Sequence, residues 1–387
     1  MDFSGYHYYK FTIDLLRHLG LWNLNAGWLE RFQRLAFCAL FTVGILCQIT
    51  AYFTNEYNLQ MISRSVVFIV GVFMCFDQYL LFYANIDRMR TLFARLRRDW
   101  NTVRGADEYN ILKTYTKNGK FVTNLHLACF VPILLCIVVL EFLPNILDVV
   151  APLNQSRSHQ FPIMVELFLE DSASKHILIY AMADVTLAVG AATLIASGSF
   201  IFMLIEHVCA MFKITSYRIQ RAINEQNECL IYVRLLDAVL VHQRTIEFIE
   251  LFKDTVTPSF SYLFAAGMIS VLMNMYHLSQ VITVTRDMKN FAEAALFVLY
   301  QYFYMCATHN LAQMTIDHSS DIFTETYETL WYRIPLSAQK LIIFIMQRSM
   351  KSSTLMLYGL YVPSRQSFTV LCNTMMSYLT FLCSVQS

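Results

Sequence analysis

Residues 366–387 read QSFTVLCNTMMSYLTFLCSVQS, 22 residues without one charged side chain, and how this run is placed decides the architecture. An α-helix needs about 20 mainly apolar residues to cross the hydrocarbon core of a bilayer, so the run is long enough to span one. At 100° per residue, Val370, Asn373, Ser377, Thr380, Phe381 and Ser384 fall within about 60° of one line down that helix. A stripe holding Asn373, Ser377, Thr380 and Ser384 does not face lipid, because unsatisfied polar groups in hydrocarbon are costly. It faces protein or water. Either it packs on a neighbouring helix, where Ser, Thr and Asn are common, or it is one wall of a pore, with Phe381 and Val385 one turn apart near the outer end as a hydrophobic constriction. One helix cannot enclose a channel, so the pore alternative requires assembly around an axis.

Working upstream, residues 35–54, 121–140, 185–205 and 255–285 are also free of charge, while 65–86 carries only Asp77 and 291–316 only Glu293 near its start, and Asp317 comes just beyond. With the last run these make seven spans. The expected fold is an all-α membrane protein, a single seven-transmembrane unit over residues 1–387. The composition agrees: 56% of residues are hydrophobic and 15% charged, where a soluble domain would carry about 25% charged residues. The 29 basic residues against 28 acidic leave a net charge of +1, which excludes a nucleic-acid-binding surface. With only 11 Gly and 7 Pro, Gly-rich phosphate-binding architectures are disfavoured.

Lys and Arg are retained on the cytoplasmic side of a membrane, and 23 of the 29 fall in residues 1–34, 87–120, 206–254 and 317–351. The amino terminus is therefore expected inside and the carboxyl terminus outside. The sequon Asn154-Gln155-Ser156 falls on a loop that this arrangement puts outside. No apolar signal segment is found in the first 30 residues, so the first span acts as its own address. All ten Cys lie in spans or on the cytoplasmic side, and no disulfide framework is expected.

Beneath the membrane, Val208, Phe212, Thr215, Ile219 and Ala222 form one apolar stripe, and Val239, Ile246, Ile249 and Phe252 another. A third follows Pro335, with Lys340, Arg348 and Lys351 on one side. Such stripes need protein partners, within one chain or between subunits. Residues 206–254 and 317–362 are accordingly assigned to a cytoplasmic helical anchor layer, and 363–387 to the final helix.

The outer halves of the other spans are rich in aromatic and sulfur side chains: Phe68, Val72, Phe73 and Phe76; Cys129, Pro132, Ile133 and Cys136; Tyr180, Met182 and Leu187; Phe297, Tyr300, Phe303 and Tyr304. Singly, each fits a core or lipid-facing position; as a cluster they suit an apolar pocket for a small, mostly uncharged ligand. Asp77 and Asp184 lie within spans, where an ionisable group needs water, a proton or a partner. They serve either ligand binding or gating, or structure. Enzyme signatures are missing: there is no HExxH, CxxC, Walker, GxGxxG or GxSxG motif, and the ten His have no metal-ligand spacing, so no catalytic residue, metal or cofactor is expected. Asp87-Arg88-Met89 is similar to the acidic-Arg triplet of G-protein-coupled receptors, but it follows the second span and the amino terminus is inside. A secondary transporter would show inverted repeats, and no internal repeat is found.

Leu19-Gly20-Leu21-Trp22, Trp331, Gln347-Arg348-Ser349, Lys351, Gly359, Ser367-Phe368, Leu371 and Ser377-Tyr378 together resemble the insect odorant receptors. The resemblance covers the whole chain in layout and is motif-specific over about the last 60 residues. It implies a ligand-gated, nonselective cation channel in which tuning subunits join a shared co-receptor in a tetramer. In that scheme the cytoplasmic layer anchors the subunits, the last helix lines the pore, and the outer pocket binds a small volatile, apolar odorant. The implied location is the plasma membrane of an olfactory sensory neuron's dendrite. Phe381 and Val385 occupy positions resembling the family's hydrophobic gate. Ser384 stands where the co-receptor and the gustatory receptors usually have Gln, and the 206–254 segment lacks the co-receptor's long insertion. Both features favour a tuning subunit over the co-receptor. A gustatory receptor channel is the near alternative.

Overall fold

The computed structural model describes residues 3–23, 27–54, 59–150, 173–285, 288–357, 359 and 361–386. The sequon at Asn154 lies outside the described residues, and Tyr180 and Val385 lie outside the described side chains. Ten α-helices run through the described residues: α1 (Tyr6–His18), α2 (Trp28–Thr54), α3 (Leu59–Ala84), α4 (Ile86–Thr102), α5 (Gly105–Val150), α6 (Ala173–Ile223), α7 (Glu228–Gln280), α8 (Met288–Tyr327), α9 (Leu336–Ser349) and α10 (Arg365–Gln386). Helices α2, α3, α5, α6 and α7 are long and apolar enough to cross a membrane by length and composition. Helices α8 and α10, each more polar, complete the seven.

Several helices run far past the bilayer. Helices α6 and α7 have 51 and 53 residues, or about 77 and 80 Å at 1.5 Å per residue, where about 30 Å suffices to span. The surplus forms a helical layer beyond the spans, where α6 and α7 meet α4 and α7 meets α9. Helix α6 is the hub, packing against α1, α2, α3, α5, α7 and α8. Its sequence is apolar on nearly every face between Ala191 and Ile214, the pattern of a helix enclosed on all sides. The largest cluster of buried apolar residues gathers around its inner half and includes Phe202, Phe212, Leu92, Leu96, Leu112, Phe252 and Ile342.

The amino-terminal segment seals this inner half. Helix α1 ends in a left-handed turn at Gly20, φ +72°, with Leu21 N–H donating to Leu16 C=O at 2.8 Å and Gly20 N–H to Arg17 C=O at 2.9 Å. A side chain is strained at that φ, which is why glycine ends the helix here. The turn delivers Trp22 edge-on against Phe93 and Phe200. Tyr9, fully buried beside Thr116 and Trp100, has its phenol pushed up to about 12 by that burial, and it stays protonated at any pH near neutral.

An ion network, buried at Glu108 and nearly so at Arg218, ties the ends of α5, α6 and α7 together. Arg218 donates to Glu108 through Nε at 2.8 Å and Nη2 at 2.7 Å, and to Asp237 through Nη1 at 3.0 Å. Arg104 adds a bond to Asp237 at 3.2 Å, and its backbone N–H donates to Glu108 at 2.8 Å.

The 87–120 segment, a basic loop by charge count, is α4 followed by the start of α5. Arg88, Arg97 and Arg98 are exposed on α4 while Met89, Leu92 and Leu96 face inward. In α7, Pro258 cannot supply the amide that would bond Asp254 C=O. Ser259, the next residue, donates to Asp77 in α3, and Gln78 Nε2 donates to Ser259 Oγ at 3.4 Å. Asp77 thus has a hydrogen-bonding partner inside the bundle.

Candidate functional site

Toward the outer side, α2, α3, α5, α6, α7 and α8 separate and leave a cavity of about 210 Å³. An apolar cavity of about 150 Å³ is enough to hold benzene, so this one takes a ring carrying a few further atoms. Its wall is almost wholly apolar. Helix α3 contributes Val67, Phe68, Gly71, Val72, Met74 and Cys75; α5 contributes Phe130, Ile133 and Leu134; α6 contributes Met182, Asp184, Thr186, Leu187 and Leu194. Phe297, Tyr300 and Gln301 come from α8, and Phe41, Gly44 and Gln48 from α2. Phe68 and Phe297 meet edge to face at 6.3 Å.

Eight of the residues singled out in the sequence, Phe68, Val72, Ile133, Met182, Asp184, Leu187, Phe297 and Tyr300, line this one space. Others do not. Phe73 is 43% exposed on the outside of α3, because it stands 100° around the helix from Val72. Phe76 turns toward α2 and packs on Phe41 at 5.7 Å. Cys129 is half-buried and Cys136 exposed on α5, and neither reaches the wall. Tyr304 lies one turn below Tyr300 and lines a second cavity of about 110 Å³, bounded by α6, α7, α8 and the strap before α10 (Leu355, Leu357, Pro363). Met74 lines both spaces.

Apart from Asp184 and Tyr300, the cavity's polar groups were not among the sequence candidates. On one side Ser270, Asn274 and Gln301 bond one another: Asn274 Nδ2 donates to Gln301 Oε1 at 3.1 Å, and Gln301 Nε2 donates to Ser270 Oγ. At the floor, the Tyr300 hydroxyl and His126 Nε2 share a bond of 3.0 Å, with Phe130 against the Tyr300 ring at 4.6 Å. Thr186 donates to Met182 C=O at 2.7 Å. The signal available in the sequence was a neutral polar side chain inside a charge-free run, which must find a partner in the bundle.

Helix α10 lies against α7 and α8. Among the described side chains of α10, Leu371 and Met375 are buried, and they cluster with Val271 and Met275 of α7. The Tyr302 hydroxyl of α8 donates to the sulfur atoms of Met275 at 3.4 Å and Met375 at 3.9 Å. The cavity wall and the grip on α10 therefore use adjacent positions: Ser270 and Val271, Asn274 and Met275, Gln301 and Tyr302. Asn373, Ser377, Thr380, Phe381 and Ser384 are exposed on the other side of α10, with Phe381 at 62%. The hydroxyls of Ser377, Thr380 and Ser384 donate to carbonyls of their own helix, so these hydroxyls are satisfied within the helix, while the Asn373 amide and Phe381 ring stand on an outer surface of the chain.

A family model described as 7tm Odorant receptor matches residues 58–376. The chain belongs to that family. No curated protein sequence matches it. Among solved structures, the receptor is similar to the insect olfactory receptor OR5 from Machilis hrabei, with a TM-score of 0.84 at 14% identity over 98% of both chains. It is also similar to OR5 from Machilis hrabei in complex with eugenol, with a TM-score of 0.82 at 13% identity, over 99% of this chain and 100% of that one. At such identities the likeness establishes the fold, an all-helical seven-transmembrane membrane protein, and the family is one of receptors rather than enzymes.

Proposed function

We propose that this odorant receptor is the tuning subunit of a ligand-gated, nonselective cation channel. It binds a small volatile, mainly apolar molecule in the outer cavity and opens a pore to which α10 contributes one wall. It works in the plasma membrane of an olfactory neuron's dendrite, in a heterotetramer with a co-receptor subunit. Residues 206–254 and 317–362 supply the cytoplasmic anchor between subunits, and 363–387 the pore segment, with Asn373, Ser377 and Ser384 along the wall and Phe381 and Val385 at the constriction.

The observation that carries this reading is the alternation on α7 and α8, where the cavity-lining Ser270, Asn274 and Gln301 are each followed by a residue that packs against α10. A ligand that displaces the Ser270, Asn274 and Gln301 group moves Val271, Met275 and Tyr302 with it, since neighbouring positions on a helix are rigidly coupled. Differential contact in two arrangements is what a ligand needs in order to shift a gating equilibrium. The exposed, partly hydrophilic face of α10 supports an aqueous surface completed by other subunits. The eugenol complex of OR5 supports a small organic ligand for this receptor as well.

The test is current recording in cells expressing the chain with and without a co-receptor, under a broad panel of volatiles. Odorant-evoked cation current only on coexpression is the expected result. Silence across the panel, with both subunits at the cell surface, would refute the proposal.

A further inference from the structure

We infer that the outer cavity is selective for ligands with a hydrogen-bond-donating head, an O–H or N–H, on an apolar body, and that the side-chain carbonyl of Gln48 is the acceptor that reads it. This rests on the cavity being the ligand site and goes further by naming the ligand's chemistry.

Gln48 sits on the cavity face of α2 and is 4% exposed, and among the described residues its Oε1 has no hydrogen-bond partner. The other hydrogen-bonding side chains of the wall are largely engaged: Ser270, Asn274 and Gln301 with one another, Tyr300 with His126, and Thr186 with Met182 C=O. A buried carbonyl left without a donor costs free energy, and such a group in a native site calls for a ligand or water to complete it. The surrounding wall is too apolar to hold water well, since a bound water needs two to four polar partners.

Gly44, one turn before Gln48, lies so close to α6 that a Cβ there would be 3.7 Å from Thr186 Cγ2. Asp184, which also lines the cavity, is two residues before Thr186. Both oxygen acceptors, Gln48 and Asp184, therefore lie near this α2–α6 contact, whereas the mutually bonded amides lie on α7 and α8. A ligand placed with its donor at the α2–α6 contact lays its apolar body across Val72, Ile133 and Phe297. A ketone, ether or ester of the same shape offers Gln48 Oε1 no proton and leaves it unsatisfied, so the site discriminates against the donor-free analogue.

The test compares matched pairs on the receptor coexpressed with a co-receptor: 2-phenylethanol against its methyl ether, benzyl alcohol against benzaldehyde, and phenethylamine as the N–H arm. The donor-bearing member of each pair is expected to act at the lower concentration. In Gln48→Leu the half-maximal concentration for the donor-bearing member should rise about three- to ten-fold, the worth of one hydrogen bond, while the ether and aldehyde curves stay in place and show that the variant is assembled. Gln48→Met repeats the test if the Leu variant does not reach the surface. Equal potency within pairs on the unaltered receptor, a donor preference that survives both variants, or activation by the donor-free members alone would each overturn the inference. The cavity reading is examined separately by filling the space with Gly71→Leu. If all responses persist there, the site itself is wrong; if they vanish there but Gln48→Leu shifts both members of a pair equally, only the donor selectivity is wrong.

Discussion

Gly71 is the position at which ligand binding and folding stability are expected to respond in opposite directions. It lies in the interior of α3, lines the outer cavity, and a Cβ built on it meets nothing within 4 Å. Added carbons therefore enter empty space that a ligand would occupy. Each methylene of apolar contact is worth about 0.8 kcal/mol, so Gly71→Ala, by excluding about one methylene of ligand, should raise the half-maximal odorant concentration about four-fold. Gly71→Leu adds four carbons and should cost about 3 kcal/mol of ligand contact, a shift on the order of a hundred-fold. Folding changes the other way, because glycine inside a helix is about 0.5–1 kcal/mol worse than alanine. The assay is a concentration–response series for the same agonist in cells coexpressing a co-receptor, normalised to surface-labelled receptor, with thermal denaturation of the detergent-solubilised variants alongside. The reasoning is refuted if Gly71→Leu responds at the original concentration. It is refuted equally if Gly71→Ala loses surface expression, since that would mean the space is not open.

Two further outcomes follow from the Arg218 network and from α10. Arg218→Ala leaves Glu108 buried without its cation, a change that costs about 3–5 kcal/mol; surface expression should collapse and Glu108→Gln on the same background should partly restore it, so normal surface levels in the single variant would show that the network is dispensable. Phe381→Ala should raise agonist-independent current in the assembled complex, and a resting current equal to that of the unaltered complex would remove Phe381 from the constriction.

The seven-span layout was legible because charge is the one property a bilayer refuses. Residues 35–54, 121–140 and 185–205 lie inside α2, α5 and α6, and the apolar stripes of 206–254 lie on the continuations of α6 and α7. Helices α1 and α4 were not separated from their surroundings. Their charged residues read as loop, whereas Tyr9, Ile13 and Leu16 on one helix and Met89, Leu92 and Leu96 on the other are buried stripes of short amphipathic helices.

The cavity was harder to read than the fold. Inside a run that is apolar on every side, periodicity does not say which face meets lipid and which meets a neighbour. Val72 and Phe73 are equally hydrophobic neighbours, yet one lines the cavity and the other lies outside it. Gln48 and Asn274 sat in charge-free runs as isolated polar residues, visible but without a pattern to join them, since their meeting depends on helices distant in sequence.

The distribution of packing between the two halves of the receptor has a consequence for how such a chain can diversify. Its cohesion is concentrated in one half, around α6 and the Arg218 network, while in the other half the helices stand around a void. Substitutions in the void's lining change which molecule fits and remove little of what keeps the chain folded. Chemical preference can therefore drift without disturbing that base, and a new specificity does not require a newly stabilised protein.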